Sequence, residues 1–183
     1  MCHATEVPST HPIPGWLAGL ARGVTGAGWM MGWLGIVSLW RGRSFWAAEN
    51  LMAGAFYPGT GWRDDFAYST LAGLAVYVAI YGVLGAVFAA STGGRVGSHR
   101  VRLLALGVAL AWYVVAYKLI YRHALPLVAF EYAETPTLIA HFIFGLWLGR
   151  YPKWLEAGPV PPETTVAECP VAEHVEPPAS GAE

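Results

Sequence analysis

Residues 68–91, YSTLAGLAVYVAIYGVLGAVFAAS, run for 24 positions without a charge. At about 1.5 Å per residue a helix of that length covers roughly 36 Å, enough to cross the hydrocarbon core of a bilayer. A soluble domain has little use for such a stretch, because a helix apolar on every face must be covered on every face. Three further stretches share the pattern. Residues 23–40 carry no charge and are stopped by Arg22 on one side and by Arg41 and Arg43 on the other. Residues 101–121 are apolar apart from Arg102 and Lys118, whose long side chains near the ends snorkel to the headgroups. Residues 136–149, PTLIAHFIFGLWLG, are short for a span but are flanked by Arg150, Lys153 and Trp154, which anchor the end.

Composition supports the same class. Only 13% of the 183 residues are charged and 55% are hydrophobic. Soluble domains carry about 25% charge, so too little polar surface remains to keep a globule of this size in water. The expected fold is therefore an all-α integral membrane bundle of four transmembrane helices. Residues 1–22 form a partly interfacial N-terminal segment, 23–154 the membrane domain, and 155–183 a disordered acidic tail. That tail holds six Pro and six Glu with no Lys or Arg, so it has nothing with which to build a core. Between the first two spans, residues 45–57 (FWAAENLMAGAFY) read as a short interfacial or re-entrant helix, interrupted by Glu49 and Asn50.

Several functions are excluded or disfavoured. A net charge of -1 gives no field for nucleic acid. Two cysteines at opposite ends form no zinc or haem motif. Cys2, His3, Cys169 and His174 all fall in flexible terminal segments, so no metal site is expected. No catalytic, phosphate-binding or dinucleotide fingerprint is present, and neither a catalytic residue nor a cofactor is assigned. The chain is read as non-enzymatic.

The halves rhyme. Ala55-Phe56-Tyr57, Thr70-Leu71 and Ile80-Tyr81-Gly82 are followed later by Ala129-Phe130-Glu131-Tyr132, Thr137-Leu138 and Ile143-Phe144-Gly145. Either chance similarity of apolar segments or a parallel repeat of span, short stretch and span accounts for this. Segments 70–88 and 137–149 resemble small, uncharacterised multi-pass bacterial inner-membrane proteins, loosely the YagU-like ones. The resemblance implies a multi-pass fold in the cell inner membrane and no known active residue.

Two sets of residues stand out. Gly23, Gly28, Gly32, Gly82 and Gly85 are expected to let helices approach closely, within the chain or across an oligomer. His141 is an ionisable group inside a predicted span, and Glu131, Glu134 and Lys118 lie near its mouth. They outline a pore or polar site, with Asp64, Asp65 and Glu49 on the same side, or else a hydrogen-bonded core histidine and solvated loop charges. The leading functional expectation is a scaffold or accessory subunit whose partners are the lipid bilayer and a homo-oligomer or larger membrane complex. The alternatives are a small transporter or channel with a midplane site at His141, and a haem-binding redox protein. An even number of spans puts both termini on one side, and a slight excess of basic residues places that side in the cytoplasm. Deleting the chain from Leu155 onward is expected to leave helical content and detergent-solubilised yield unchanged, as measured by circular dichroism and size-exclusion chromatography.

Overall fold

The computed structural model describes residues 14–93, 98–124 and 126–150. The acidic tail, the segment before Pro14, Arg95, and the Cys2, His3, Cys169 and His174 set lie outside the described residues. Within them the chain is all α-helical, with no strand.

Helix α1 spans Gly15–Trp40 and α2 Ala47–Ala53. A single 3-10 turn, Thr60–Trp62, leads to α3, Tyr68–Thr92. Helix α4, Ser98–Tyr113, runs straight into a π-helix, Val114–Tyr121, and the short α5, Arg122–Ala124. Helices α6, Pro126–Glu131, and α7, Glu134–Leu148, complete the bundle. Because α1 starts at Gly15, residues 15–22 extend the first helix, and the expected boundary at residue 23 falls inside it.

Of the four expected spans, two are long and apolar enough to cross a membrane: Tyr68–Thr92, and the continuous helical run His99–Tyr121. Only 33% and 28% of their most apolar stretches are buried in the bundle. A core helix of a soluble protein is mostly covered; in these stretches most residues are exposed or only half-buried. Helix α1 has 26 residues and α7 has 15.

Glycine sets the packing. α1 and α3 run antiparallel, so that Gly19 meets Gly85 and Ala89, and Gly23 meets Tyr81 and Gly82. A Cβ added at Gly19, Gly23 or Gly85 would run into backbone of the facing helix. Helix α7 wedges against α1, with Phe144 over Gly26, and against α4, with Gly145 on Leu106 and Ala109. Helix α2 lies on α3, where Gly73 leaves room for the carbonyl of Glu49.

Gly23, Gly82 and Gly85 thus sit where the sequence placed them, in helix contacts. Gly28 and Gly32 do not: nothing lies within 4 Å of a Cβ at either. The reason is angular. At about 100° per residue, five residues from Gly23 to Gly28 turn the helix by roughly 140° beyond a full turn. Gly28 therefore leaves the face on which Gly19, Gly23, Ala27 and Met30 are buried.

The internal rhyme corresponds to a repeated element order: long helix, short helix, long helix. The short members, α2 and α6, lie against each other at one end of the bundle. Burial matches with an offset of 67 residues, pairing buried Thr70 with Thr137, Gly73 with Ala140, Tyr77 with Phe144 and Tyr81 with Leu148. That register is about one helical turn away from the one the Tyr81-Gly82 and Phe144-Gly145 similarity proposes. The two halves are not equivalent in packing. α1 touches both α3 and α7, whereas α3 and α4 border an apolar furrow of about 430 Å³ between Ala79, Ile80, Val83, Val87 and Trp112.

Gly23→Leu should destabilise the bundle by about 1–3 kcal/mol or more through overpacking. Gly28→Leu should change its stability by less than about 0.5 kcal/mol, as an exposed substitution. Denaturant unfolding in detergent micelles compares the two.

Candidate polar interior site

The end of the bundle closed by α2 and α6 collects the polar residues. At its rim are ion pairs. Arg43 reaches Asp64 at 3.3 Å and Glu131 at 3.5 Å. Arg63 pairs with Asp65 at 2.7 Å, and Lys118 pairs with Glu134, with Arg122 at 3.8 Å. The hydrogen bond and charge of Lys118 lower the pKa of the Glu134 carboxyl, and Arg63 does the same for Asp65. Four of the five acids expected around a vestibule are therefore tied to cations at the surface. Exposed pairs of this kind contribute little to stability. Their work here is to hold the ends of α1, α6 and α7 in register.

Beneath the rim lies Asn50 of α2, fully buried and fully bonded. Its Nδ2 donates to the carbonyls of Arg63 at 2.9 Å and Asp65 at 3.1 Å. Its Oδ1 accepts from the Thr70 hydroxyl at 2.6 Å, and its backbone carbonyl accepts from Thr60 at 3.1 Å. Thr70 Oγ1 in turn accepts the N–H of Ala67 at 2.9 Å, fixing the start of α3. One amide thereby ties α2, the connecting loop and α3 together.

Glu49, the fifth acid, is not on a vestibule wall. It is 1% exposed, and its Oε2 has no hydrogen-bond partner. Burial pushes its carboxyl up to about 7, against a bond from its own backbone N–H that pulls the other way. Tyr132 and Tyr77 are the titratable side chains whose charge would interact with it. Ser38 Oγ donates to the carbonyl of Leu34 at 2.9 Å, so Tyr132 must be the donor in the 2.6 Å bond between their hydroxyls. The Tyr132 carbonyl accepts from Tyr117 at 3.0 Å. Desolvation raises the Tyr132 hydroxyl to about 12, so it stays a neutral donor.

Deeper in the bundle is His141. Its Nδ1 lies 2.8 Å from the Thr137 carbonyl, which can only accept, so Nδ1 carries the proton. Nε2 is then the acceptor, and Tyr81 donates to it at 3.0 Å. The imidazole is also boxed by the rings of Tyr81 and Tyr113, with centroids at 5.9 and 5.4 Å. With both nitrogens used within the chain, His141 behaves as a neutral core residue, the blander of its two expected roles. His123, on α5 at the bundle end, is exposed. Glu131, Glu134 and Lys118 share that end and do not join His141 in one site.

The sequence reading missed the tyrosines. Tyr77 stacks on Tyr81 and Tyr113 on Tyr117, at centroid distances of 5.9 and 5.6 Å. All four are buried, with Tyr121 and Tyr132. The π-helix widens the turn and points Ala116, Tyr117 and Tyr121 inward; π segments recur where helices serve a function. The available signal was period: Tyr77-Tyr81 and Tyr113-Tyr117-Tyr121 recur every four residues.

No protein-family model matches this chain, and no curated protein or solved structure is similar to it.

Glu49 gives the protein a defined pH response. Its folded pKa of about 7 lies above its ordinary 4.5, so the folded state holds the proton longer than the unfolded one. The Glu49 contribution to stability is therefore greatest below the ordinary value and falls as pH rises toward the folded value, by on the order of 3 kcal/mol. The unfolding free energy of the wild type in micelles, less that of Glu49→Gln, should fall across that window and level off above it.

Proposed function

We propose that this chain is a four-span integral protein of the cell inner membrane, acting as a non-enzymatic scaffold or accessory subunit. The observation that carries the membrane reading is the apolar exterior of the bundle. Trp29, Ile36, Leu71, Val83, Leu103, Leu119, Ile139 and Leu146 are exposed on the four long helices. Water penalises such a surface; lipid accepts it. Aromatic side chains exposed toward the helix ends fit the headgroup layers: Trp16 at one end, and Trp40, Trp62 and Tyr68 at the other.

Two features support the accessory role. The furrow between α3 and α4 is wholly apolar and leaves one side of the bundle open. In lipid such a surface gains from close van der Waals contact with another helix. The engagement of both His141 nitrogens takes support away from a midplane transport site and from haem ligation.

Reporter fusions after Arg95 and after Glu134 should lie on opposite sides of the membrane, with the first in the cytoplasm; reporters on the same side would refute four spans. In a background with Cys2 and Cys169 replaced by Ser, Val83→Cys should crosslink to a second chain or another membrane protein. An uncrosslinked chain with monomeric mobility on native gels would refute the accessory role.

A further inference from the structure

Helix α2 has seven residues, all of them buried. Its two polar side chains differ in kind. Asn50 has a partner for each polar atom; Glu49 has an oxygen with none. No described basic group forms an ion pair with Glu49. The cations nearest that end are committed elsewhere: Arg43 to Asp64 and Glu131, Arg41 to the Glu131 carbonyl, Arg63 to Asp65, and Lys118 and Arg122 to Glu134.

The elements packed against α2 offer no counter-charge. From α3 comes Tyr77, and from the linker between α6 and α7 comes Tyr132. α1 brings Ser38, already bonded to Tyr132, and α6 brings Glu131, held by Arg43. The Thr60–Trp62 turn contributes no titratable group. Nor can α2 easily back away, because its backbone at Glu49 sits in the notch left by Gly73 and Asn50 is bonded to Thr70 of the same helix. An ionised carboxylate in such surroundings loses its hydration and gains nothing in return.

We infer that Glu49 is a proton-binding site built into the bundle, holding one exchangeable proton per chain between α2 and α3. The neutral acid carries the proton on a carboxyl whose Oε2 has no hydrogen-bond partner. Burial sets the exchange near neutral pH. The site goes beyond the accessory role and does not depend on a partner.

Infrared difference spectroscopy of the full chain in lipid nanodiscs tests this directly. The wild type should keep a protonated-carboxyl band, sensitive to H/D exchange, after the surface acids have ionised. About nine-tenths of it should remain one unit below the midpoint near 7 and about one-tenth one unit above. Glu49→Gln should remove the band with helical content unchanged, and Glu49→Asp should shift it. The wild-type titration stands on its own if Glu49→Gln does not fold. Absence of any carboxyl band above the ordinary range of glutamate, or the same band surviving in both variants, would overturn the assignment.

Discussion

Close approach of backbone to backbone between α1 and α3 is the contact on which the rest of this bundle depends. In water, burying apolar side chains would drive the helices together. In the proposed bilayer that drive is absent, since lipid tails are as apolar as leucine, and only packing density and internal polar bonds remain. Gly19 and Gly23 on α1, facing Gly85 on α3, supply the density. Once that pair is fixed, α7 can lie in the angle between α1 and α4, with Phe144 over Gly26 and Gly145 on Ala109. The order of contacts explains why α1 occupies the centre. It is the helix with the most glycine to offer.

Polar satisfaction is the second constraint, and it is met at one end by very few groups. Asn50 alone bonds two loop carbonyls, a threonine of α3 and, through its own carbonyl, a threonine of the 3-10 turn. A buried amide with each of its groups engaged holds a connection that would otherwise be exposed, irregular backbone. The rim ion pairs then add register without adding much energy. That division of labour accounts for a loop of some twenty residues that still presents a defined shape to the interior.

How much of this the sequence discloses depends on periodicity. The uncharged run at 68–91 and the sparsely charged one at 101–121 mark α3 and the α4–π helix, because so little charge over twenty positions has few other readings. The short α2 and α6 were legible as apolar segments between spans, and their mutual contact follows from the repeated order. Gly28 and Gly32 lie off the contact face within the chain, because spacing by four residues identifies a strip without saying which way the strip faces; only neighbouring buried positions such as Ala27 and Met30 fix the direction. Tyr77, Tyr81, Tyr113 and Tyr117 escaped notice for a different reason. Tyrosine is at home in membrane interfaces, so its presence in a span reads as ordinary until hydrogen bonds to His141 and Tyr132 are seen. His141 itself was rightly read as costly to bury, and its two bonds are how that cost is met.

Glu49 is the buried acid at this end, and its Oε2 has no hydrogen-bond partner. Threonine hydroxyls in the helices bond back to carbonyls of the preceding turn, His141 uses both nitrogens, and Asn50 uses all its groups. A glutamine at position 49 would have nearly the same shape and no ionisation to suppress. Helix propensity does not select glutamate there, since glutamine is about as good a helix former. Hydrogen bonding does not select it either, since one oxygen goes unused. What distinguishes the acid from its amide is the ability to give up a proton. A fold that positions α2 by its backbone, against Gly73, and by the amide of Asn50 has no need of Glu49 to hold it in place. That leaves the carboxyl free to change its charge state while the elements that carry it remain fixed.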